Sequence, residues 1–451
     1  MKKLIQTIKN IFKIEELRTR ILYTLALVVI YRLGSFIVLP GIDASLVAQS
    51  AFAQRSSEGL MGLLNMFSGG AFGSASIFAL GVMPYISASI VIQLLGVFVP
   101  YFRKLQMEGE SGRRKMNQYT RFLTIAIICI QGPAYIAALN SQSAGIPAEA
   151  FVAVNQLGWS QFLFNLVSTV ILLGGTMFVM WLGERITDRG IGNGISIIIM
   201  IGIIARLPHA LLAEVMTKFT GNGVGGPLIL IVELVILLLI FAAAIAIVQA
   251  VRKIPVQYAK RVVGNKQYGG VRQYIPLKIN AAGVMPIIFA QALMMIPMVF
   301  ARFEATQGFA AVMSNYTGFW YNFTFALLVV AFTYFYTAVT VNPTMMAEDM
   351  RKNGGFIPGV KPGKKTAEYL DTIMSRVTLP GSIFLALIAI LPAFAMLCGV
   401  NNQFASFYGG TSLLILVGVV LDTLQQIESH LLMRHYDGLM KTGRLKGRSG
   451  M

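Results

Sequence analysis

The residues that could support catalysis or metal binding are few, and their spacing fits neither. The stretch GVKPGKKT at 359–366 resembles a phosphate-binding loop, but Lys364 occupies the position of the second obligatory glycine. The stretch GIGNG at 190–194 lacks the third glycine of a dinucleotide-binding turn. The three histidines have no partners at metal-ligand spacing, and the two cysteines lie in separate apolar runs. The sequence therefore predicts no enzyme, no metal site and no cofactor.

Composition indicates a membrane protein. Of the 451 residues, 56% are hydrophobic and 12% are charged, against roughly 25% charged in ordinary soluble domains. A membrane-spanning helix needs about 20 apolar residues, and ten runs are long enough. They lie near residues 21–40, 76–98, 121–140, 157–182, 192–208, 227–250, 281–301, 320–342, 377–399 and 411–433. The sequence thus predicts an all-α membrane protein with ten transmembrane helices.

The charges between these runs predict their orientation. The net charge is +18, and 32 of the 37 Lys and Arg residues lie in alternate connections. These connections are residues 1–20, 101–121, 183–191, 251–279, 343–376 and 434–451. Segments rich in Lys and Arg stay on the cytoplasmic side of a membrane, so we expect both termini in the cytoplasm. The short apolar piece at 59–67 is then a re-entrant or plugging segment and not an eleventh span.

The ten runs divide five and five at the glycine-rich stretch 221–227. Because five is odd, a structural repeat between the halves has to be inverted. The predicted organisation is a cytoplasmic amphipathic segment at 1–20, an N-terminal half at 21–220, a C-terminal half at 221–433 and a basic cytoplasmic tail at 434–451. Such an organisation predicts a functional crevice between the halves.

Five long motifs, in order along the chain, closely resemble the SecY family. They are LPGID at 39–43, QMEGESGRRKMNQYTR at 106–121, GERITDRGIGNGISIII at 183–199, NPTMMAEDMRKNGGFIPGVKPGKKT at 342–366 and YGGTSLLI at 408–415. SecY proteins are the central subunits of the membrane channel that exports unfolded polypeptides and releases hydrophobic segments sideways into lipid. The resemblance implies two inverted five-helix halves around a central pore. It also implies a location in the bacterial inner (cytoplasmic) membrane.

The same resemblance gives a role to the glycine-broken stretch at 68–93. The segment around 60–73 corresponds to the family's short plug, with plug residues Asn65, Phe67, Gly69 and Gly70. The helix after it forms one wall of the lateral gate, opposite the helix that starts near residue 280. The gate residues that the resemblance implies are Pro84, Ser87, Gln93 and Asn280. Small residues let gate helices approach closely when shut, although Gly and Pro are also common in membrane helices generally.

The family's pore ring falls on six aliphatic residues of this chain. They are Val82, Ile86, Ile195, Ile199, Ile288 and Ile415. A spacing of four within the first two pairs places both side chains on one helix face. A dry aliphatic constriction bars ions and water, and it can close around any passing chain. Without the resemblance, the same residues would be interpreted as ordinary packing residues.

Two basic loops are expected to bind partners in the cytoplasm. Residues 252–279 hold seven Lys or Arg and no acidic residue, with a turn at Gly264-Asn265 that predicts a hairpin. Topology alone explains much of this charge, but an extended basic loop also suits an anionic partner. The family binds the ribosome and the SecA motor ATPase on this loop and on 343–376. The docking residues implied are Lys260, Arg261, Lys266, Arg272, Lys361 and Lys364.

Lys361 departs from the family pattern, which usually has arginine at this position. Lysine keeps the positive charge but lacks the planar fork that binds oxygens in pairs. A partner contact there is therefore expected to differ in detail. The further partners that the resemblance implies are the small SecE and SecG subunits, unfolded polypeptides and membrane lipid.

A secondary transporter is the main alternative, because it also has inverted halves and broken helices. It would need ionisable groups inside the helix bundle, for which Arg32, Glu233 and Asp422 are the candidates. A membrane-embedded enzyme would need paired carboxylates or a histidine cluster, and neither is apparent. An assay separates the first two classes, since a translocation channel passes an unfolded protein and a transporter moves a small solute.

Overall fold

The chain is largely helical in the computed structural model, which describes residues 14–50, 62, 65–140, 146–156, 158–219, 226–258, 261–263, 266–268, 272–294 and 307–442. Within these residues the first eight α-helices are α1 (Glu15–Ser35), α2 (Ala44–Gln49), α3 (Met83–Phe98), α4 (Pro100–Met107), α5 (Glu110–Leu139), α6 (Val152–Asn155), α7 (Gln161–Arg189) and α8 (Gly194–Phe219). The later helices are α9 (Gly226–Gln249), α10 (Met285–Met294), α11 (Gln307–Ser314), α12 (Phe319–Thr340), α13 (Pro343–Lys352), α14 (Lys364–Leu397), α15 (Asn402–Ala405) and α16 (Gly410–Thr442).

Seven helical stretches in the described chain are long and apolar enough to cross a membrane. They are α5, α7, α8, α9, α12 continued by α13, α14, and α16 as far as Leu431. The pair α3 and α4 passes the same test as one bent element, which would be an eighth span. The predicted runs 21–40 and 281–301 correspond to α1 and α10, and residues 295–306 lie outside the described ranges. An all-α membrane architecture is thus confirmed, while the count of ten stays a prediction.

Proline explains the sharp bend of 104° between α3 and α4. Pro100 is the first residue of α4, where its missing N–H group is not needed. It also restricts the residue before it to extended geometry, and Val99 has φ −105° and ψ 118°. The helix therefore stops at Phe98, and the chain restarts in a new direction.

Short polar side chains begin several helices by accepting hydrogen bonds from the free N–H groups of the first turn. The carboxylate of Asp43 accepts from the N–H of Ser45 at 2.9 Å, and Asn342 accepts from the N–H groups of two residues that follow it. Hydrogen bonds from the hydroxyl and the backbone of Ser45 hold the pKa of Asp43 below its usual value. These ends are encoded locally, because the capping residue lies within three residues of the group it satisfies.

The chain divides into two compact units, Met1–Arg206 with Val419–Met451 and Leu207–Gly418. The first unit has a buried core between the segment after α1, the segment before α3, and helices α5 and α7. That core includes Leu39, Val47, Phe72, Ala75, Leu80, Ile128, Ile136, Leu139, Phe164 and Leu172. The second unit contains a separate cluster formed by Ile254, Val256, Leu277, Ala347, Met350, Ile357, Ala367 and Leu370.

Five strands form two small sheets within the second unit. They are β1 (Val251–Tyr258), β2 (Arg261–Val263), β3 (Lys266–Tyr268), β4 (Arg272–Lys278) and β5 (Gly355–Phe356). Strand β1 pairs antiparallel with β4, with Ile254 opposite Ile275, and β2 pairs antiparallel with β3, with Val263 opposite Lys266. The predicted hairpin is confirmed by this pairing. Strand β1 also pairs with β5, which the sequence reading did not predict.

Parts of several predictions lie outside the described residues. These parts are residues 1–13 of the N-terminal segment, residues 60, 61, 63 and 64 of the plug, Lys260, the turn residues 264–265, residues 221–225 of the glycine-rich stretch, and residues 443–451 of the tail.

Candidate functional site

Residues 65–73, which we call the plug turn, are tied together by their own backbone and by two polar side chains. The N–H of Gly70 donates to the carbonyl of Asn65 at 2.8 Å, and the N–H of Gly73 donates to Asn65 Oδ1 at 2.9 Å. Ser68 Oγ donates to the Asn65 carbonyl at 3.1 Å and accepts from the N–H of Phe72 at 3.0 Å. Asn65 is therefore the organising residue of the plug turn.

Three side chains from neighbouring helices hold the plug turn by its backbone carbonyls. Tyr31 on α1 donates its hydroxyl to the carbonyl of Ser68 at 3.3 Å, and Arg32 donates from Nη1 to that of Gly69 at 3.0 Å. Tyr135 on α5 donates its hydroxyl to the carbonyl of Phe72 at 2.6 Å. Sequence reasoning missed both tyrosines, because a buried tyrosine in an apolar run carries no sign of its partner.

The predicted span 76–98 is helical only from Met83, which corrects the sequence reading. Residues 76–82 form turns and bridges instead: the N–H of Ile77 donates to the carbonyl of Ile37 at 2.9 Å. Gly81 has φ +54°, a left-handed backbone that glycine adopts without steric cost. Pro84 then lies in the first turn of α3, where proline is well tolerated. The interrupted stretch is thus a turn followed by a well-started helix.

The predicted gate residues lie on separate units. Pro84 is buried and Ser87 is half-buried near the start of α3, and Gln93 donates to Ser89 Oγ at 3.2 Å within that helix. Asn280 lies in a turn five residues before α10 begins, whereas the sequence predicted a helix that starts near residue 280. Its Oδ1 is buried without a hydrogen-bond partner among the described residues.

Of the six predicted ring residues, three are buried and three are half-buried. In the first unit, Val82 and Ile199 are buried, while Ile86 and Ile195 are half-buried. Val82 is the N-cap of α3, so only Ile86 of that pair belongs to the helix proper. In the second unit, Ile288 on α10 is half-buried and Ile415 on α16 is 6% exposed.

One member of this set makes a packing contact inside its own unit. A Cβ placed at Gly183 on α7 would lie 2.7 Å from Cγ1 of Ile195, so the two helices approach each other closely there. Ile195 therefore packs on α7 in this structure. Its assignment to the ring stays a prediction.

The predicted docking residues occur on two loops that the fold joins into one layer. Residues Gln257 and Tyr258 of β1 pair with Phe356 and Gly355 of β5, and the cluster around Val256 lies beneath both loops. Lys361 and Lys364 are exposed on the second loop. Arg261, Lys266 and Arg272 lie on strands β2, β3 and β4. Sequence reasoning did not foresee the joining, because β5 has only two residues.

Each transporter candidate has its own local surroundings in the structure. Arg32 donates to a backbone carbonyl of the plug turn, and Asp422 is exposed. Glu233 belongs to a buried ionic triad with Lys218 and Glu214, which sequence reasoning did not identify. No group of three or more metal-ligating side chains occurs in the described part of the chain.

Known proteins resemble this chain over nearly its whole length. The family model described as SecY matches residues 76–424. The protein translocase subunit SecY of Streptomyces scabiei is 44% identical over 436 residues, which cover 95% of this chain and 98% of that relative.

Solved channel structures have a similar fold. A SecY structure that concerns the plug domain matches with a TM-score of 0.60 at 16% identity and covers 92% of each chain. Sec61 in the canine ribosome-channel complex matches with a TM-score of 0.54 at 14% identity, covering 92% of this chain and 93% of that one.

Proposed function

This chain belongs to the SecY family, and from that premise we infer how its parts conduct a polypeptide. It is a channel subunit of a protein translocase that moves unfolded polypeptides across a bacterial membrane and releases hydrophobic segments into lipid. It is not an enzyme, so the energy for transport comes from partners. The match of the family model over residues 76–424 carries this conclusion.

We propose that the plug turn seals the resting channel. Support comes from its anchoring, because three helix-borne side chains bind its carbonyls. Hydrogen bonds of Asn65, Gly69 and Gly70 close the turn on itself, and Phe67 is buried. A backbone held through carbonyls can leave as a unit when those hydrogen bonds break. The similar SecY structure is described as one in which the plug domain stabilises the closed state of the channel, and it supports the same role here.

We propose that the six aliphatic residues form the constriction and that the helix ends around Pro84, Ser87, Gln93 and Asn280 form the lateral gate. The support is that every ring position is aliphatic, and that three of the six are buried and the other three half-buried. The broken start of α3 adds to it, because a helix that begins at a glycine turn can tilt without unwinding.

We propose that the two basic loops, residues 252–279 and 343–376, bind SecA and the ribosome. We also propose that SecE and SecG complete the complex. The pairing of β1 with β5 joins the two loops, and their sequences supply the positive charges of Arg261, Lys266, Arg272, Lys361 and Lys364. A likeness to Sec61 in a ribosome-channel complex supports the ribosome as a partner. We assign residues 21–220 and 221–433 to inverted halves with both termini in the cytoplasm.

Reversing three charges tests the docking proposal. The variant with Lys260, Arg261 and Lys266 all changed to Glu should bind SecA and ribosomes more weakly. The loss of affinity should be largest at low ionic strength, because salt screens exposed charges. Binding would be measured on vesicles that hold the purified complex, together with uptake of an unfolded secretory precursor driven by SecA and ATP.

The matched control reverses three charges in the tail instead, at Lys441, Arg444 and Lys446. This control removes the same charge from the same side of the membrane. If the loop variant binds SecA and ribosomes as tightly as the tail variant and the parent do, the charge of the loop serves topology alone. Uptake of a small solute along an ion gradient, without precursor uptake by the parent, would contradict the channel function itself.

Single cysteines test the topology. With Cys129 and Cys398, both free and exposed, replaced by Ala, Asn265→Cys and Val360→Cys should react with an impermeant maleimide only from the cytoplasm. Gly145→Cys and Ala310→Cys should react only from outside, because the Lys and Arg distribution places these connections there. Reaction from the opposite side at any of the four would contradict the ten-span arrangement.

A further inference from the structure

Arg32 is a cation inside the first predicted span, and its partner is the plug turn. Its Nη1 donates to the carbonyl of Gly69 at 3.0 Å, and its guanidinium carbon lies 5.4 Å from the centre of the Phe36 ring. No carboxylate forms an ion pair with Arg32 among the described residues. Ionisable side chains within membrane spans are rare and usually functional, so this arrangement calls for a role.

The residue before Arg32 makes the same kind of contact one carbonyl earlier. The hydroxyl of Tyr31, which is fully buried, donates to the carbonyl of Ser68 at 3.3 Å. Two successive residues of α1 therefore hold two successive carbonyls of the plug turn. The N–H of Ile77, shortly after the plug turn, donates to the carbonyl of Ile37, shortly after α1, at 2.9 Å.

Where the plug turn packs most closely against its neighbours, at Gly69, only glycine fits. Gly69 has φ +66°, and a Cβ placed there would lie 2.7 Å from Arg32 Nη1 and 3.0 Å from the Cα of Gly202 on α8. The backbone of the plug turn is thus pressed between α8 and the guanidinium. This close fit brings the Gly69 carbonyl within reach of Arg32.

We propose that Arg32 is the latch of the plug, a positioning residue that holds the closed state through the Gly69 carbonyl, with Tyr31 as its neutral second contact. The proposal rests on the sealing role proposed above for the plug turn. A hydrogen bond from a charged donor is stronger than a neutral one, so the Arg32 contact is expected to contribute more than the Tyr31 contact. When the plug turn leaves, the guanidinium loses its carbonyl but keeps the Phe36 ring, which limits the cost of opening.

The test measures ion conductance of the complete complex in planar bilayers. Arg32→Met keeps most of the side-chain length but removes the donors, and should raise the fraction of time in the conducting state about tenfold. Arg32→Lys retains a charged donor and should restore most of the tightness. Tyr31→Phe removes only the hydroxyl and should raise conductance by a smaller factor of about two to five. The conductance of Tyr31→Phe also tests the proposal if Arg32→Met fails to assemble.

Deleting residues 65–70 separates this proposal from the one it rests on. If the deletion alone leaves the channel tight, the sealing role of the plug is wrong and the latch falls with it. If the deletion leaks but Arg32→Met and Tyr31→Phe are as tight as the parent, the latch alone is overturned. The latch also fails if Arg32→Met raises the leak of the deleted channel further. The expected result is that Arg32→Met has no added effect once the plug turn is absent.

Discussion

Lys218→Met is expected to lower the free energy of unfolding by about 3–5 kcal/mol, the usual cost of removing one partner from a buried ion pair. Lys218 Nζ lies 3.0 Å from Glu233 Oε1 and 3.4 Å from Glu214 Oε1, and its side chain is fully buried. Its ammonium also donates to the carbonyl of Gly399 at 3.2 Å. Without it, two buried carboxylates would face each other and a backbone carbonyl with no cation nearby.

Hydrogen bonds to the two glutamates raise this loss of stability further, because they keep Glu214 and Glu233 from rearranging freely. Glu214 Oε2 accepts from the N–H of Asn401 at 2.8 Å, and Tyr408 donates its hydroxyl to the backbone carbonyl of Glu233 at 2.8 Å. The triad thus joins the end of α8, the helix α9 and the segment between α14 and α16. We expect its loss to loosen all three elements within the second unit.

Denaturant titration of the purified protein in mild detergent measures this effect, and two variants provide controls. Lys365→Met makes the same substitution in the exposed pair with Glu368, whose side chains are 70% and 52% exposed, and should cost less than about 1 kcal/mol. The triple variant Glu214→Leu, Lys218→Met and Glu233→Leu removes every charge and should recover most of the loss. Equal costs for the two Lys→Met variants would show that the buried triad contributes no more than a surface pair.

Ile415→Asn is expected to make the channel leak ions and export substrates with defective signal sequences. Ile415 is 6% exposed, and burying an unpaired amide in its place costs about 1–3 kcal/mol. If the residue lines the constriction, that cost falls on the closed, dry state and is relieved when water enters. The ratio of open to closed channels should then rise about 5- to 150-fold. Signal sequences would need to supply correspondingly less energy to part the gate.

Two substitutions on the same helix separate a pore role from a packing role. Ile415→Leu keeps an aliphatic side chain and should change neither conductance nor signal stringency. Val417→Asn places the same amide at a residue that is 3% exposed, about 200° around the helix from Ile415. It should destabilise the fold without a leak. Wild-type ion tightness and signal stringency in an Ile415→Asn protein that assembles would make Ile415 a packing residue.

The sequence could predict the parts of the site that depend on residue type and order. The aliphatic character of the ring positions and the basic character of the loops can be read directly, and the glycine turn before Pro84 is visible as a broken apolar run. The start of α3 at Met83 was harder to predict, because apolar turns and apolar helix have the same composition. The start of α10 at Met285 is displaced by about five residues from the predicted start near residue 280 for the same reason.

The sequence by itself determined the membrane class, the approximate spans, the expected orientation and the family, since hydropathy, charge and motif order are properties of neighbouring residues. Only the tertiary structure decided which groups meet across long separations. Asn401 binds a carboxylate 187 residues away, β5 joins a strand about one hundred residues earlier, and Arg32 finds a carbonyl 37 residues on. A polar group shielded from water must find a partner, but nothing in its own neighbourhood names that partner, because any donor or acceptor that the fold brings within about 3 Å will serve.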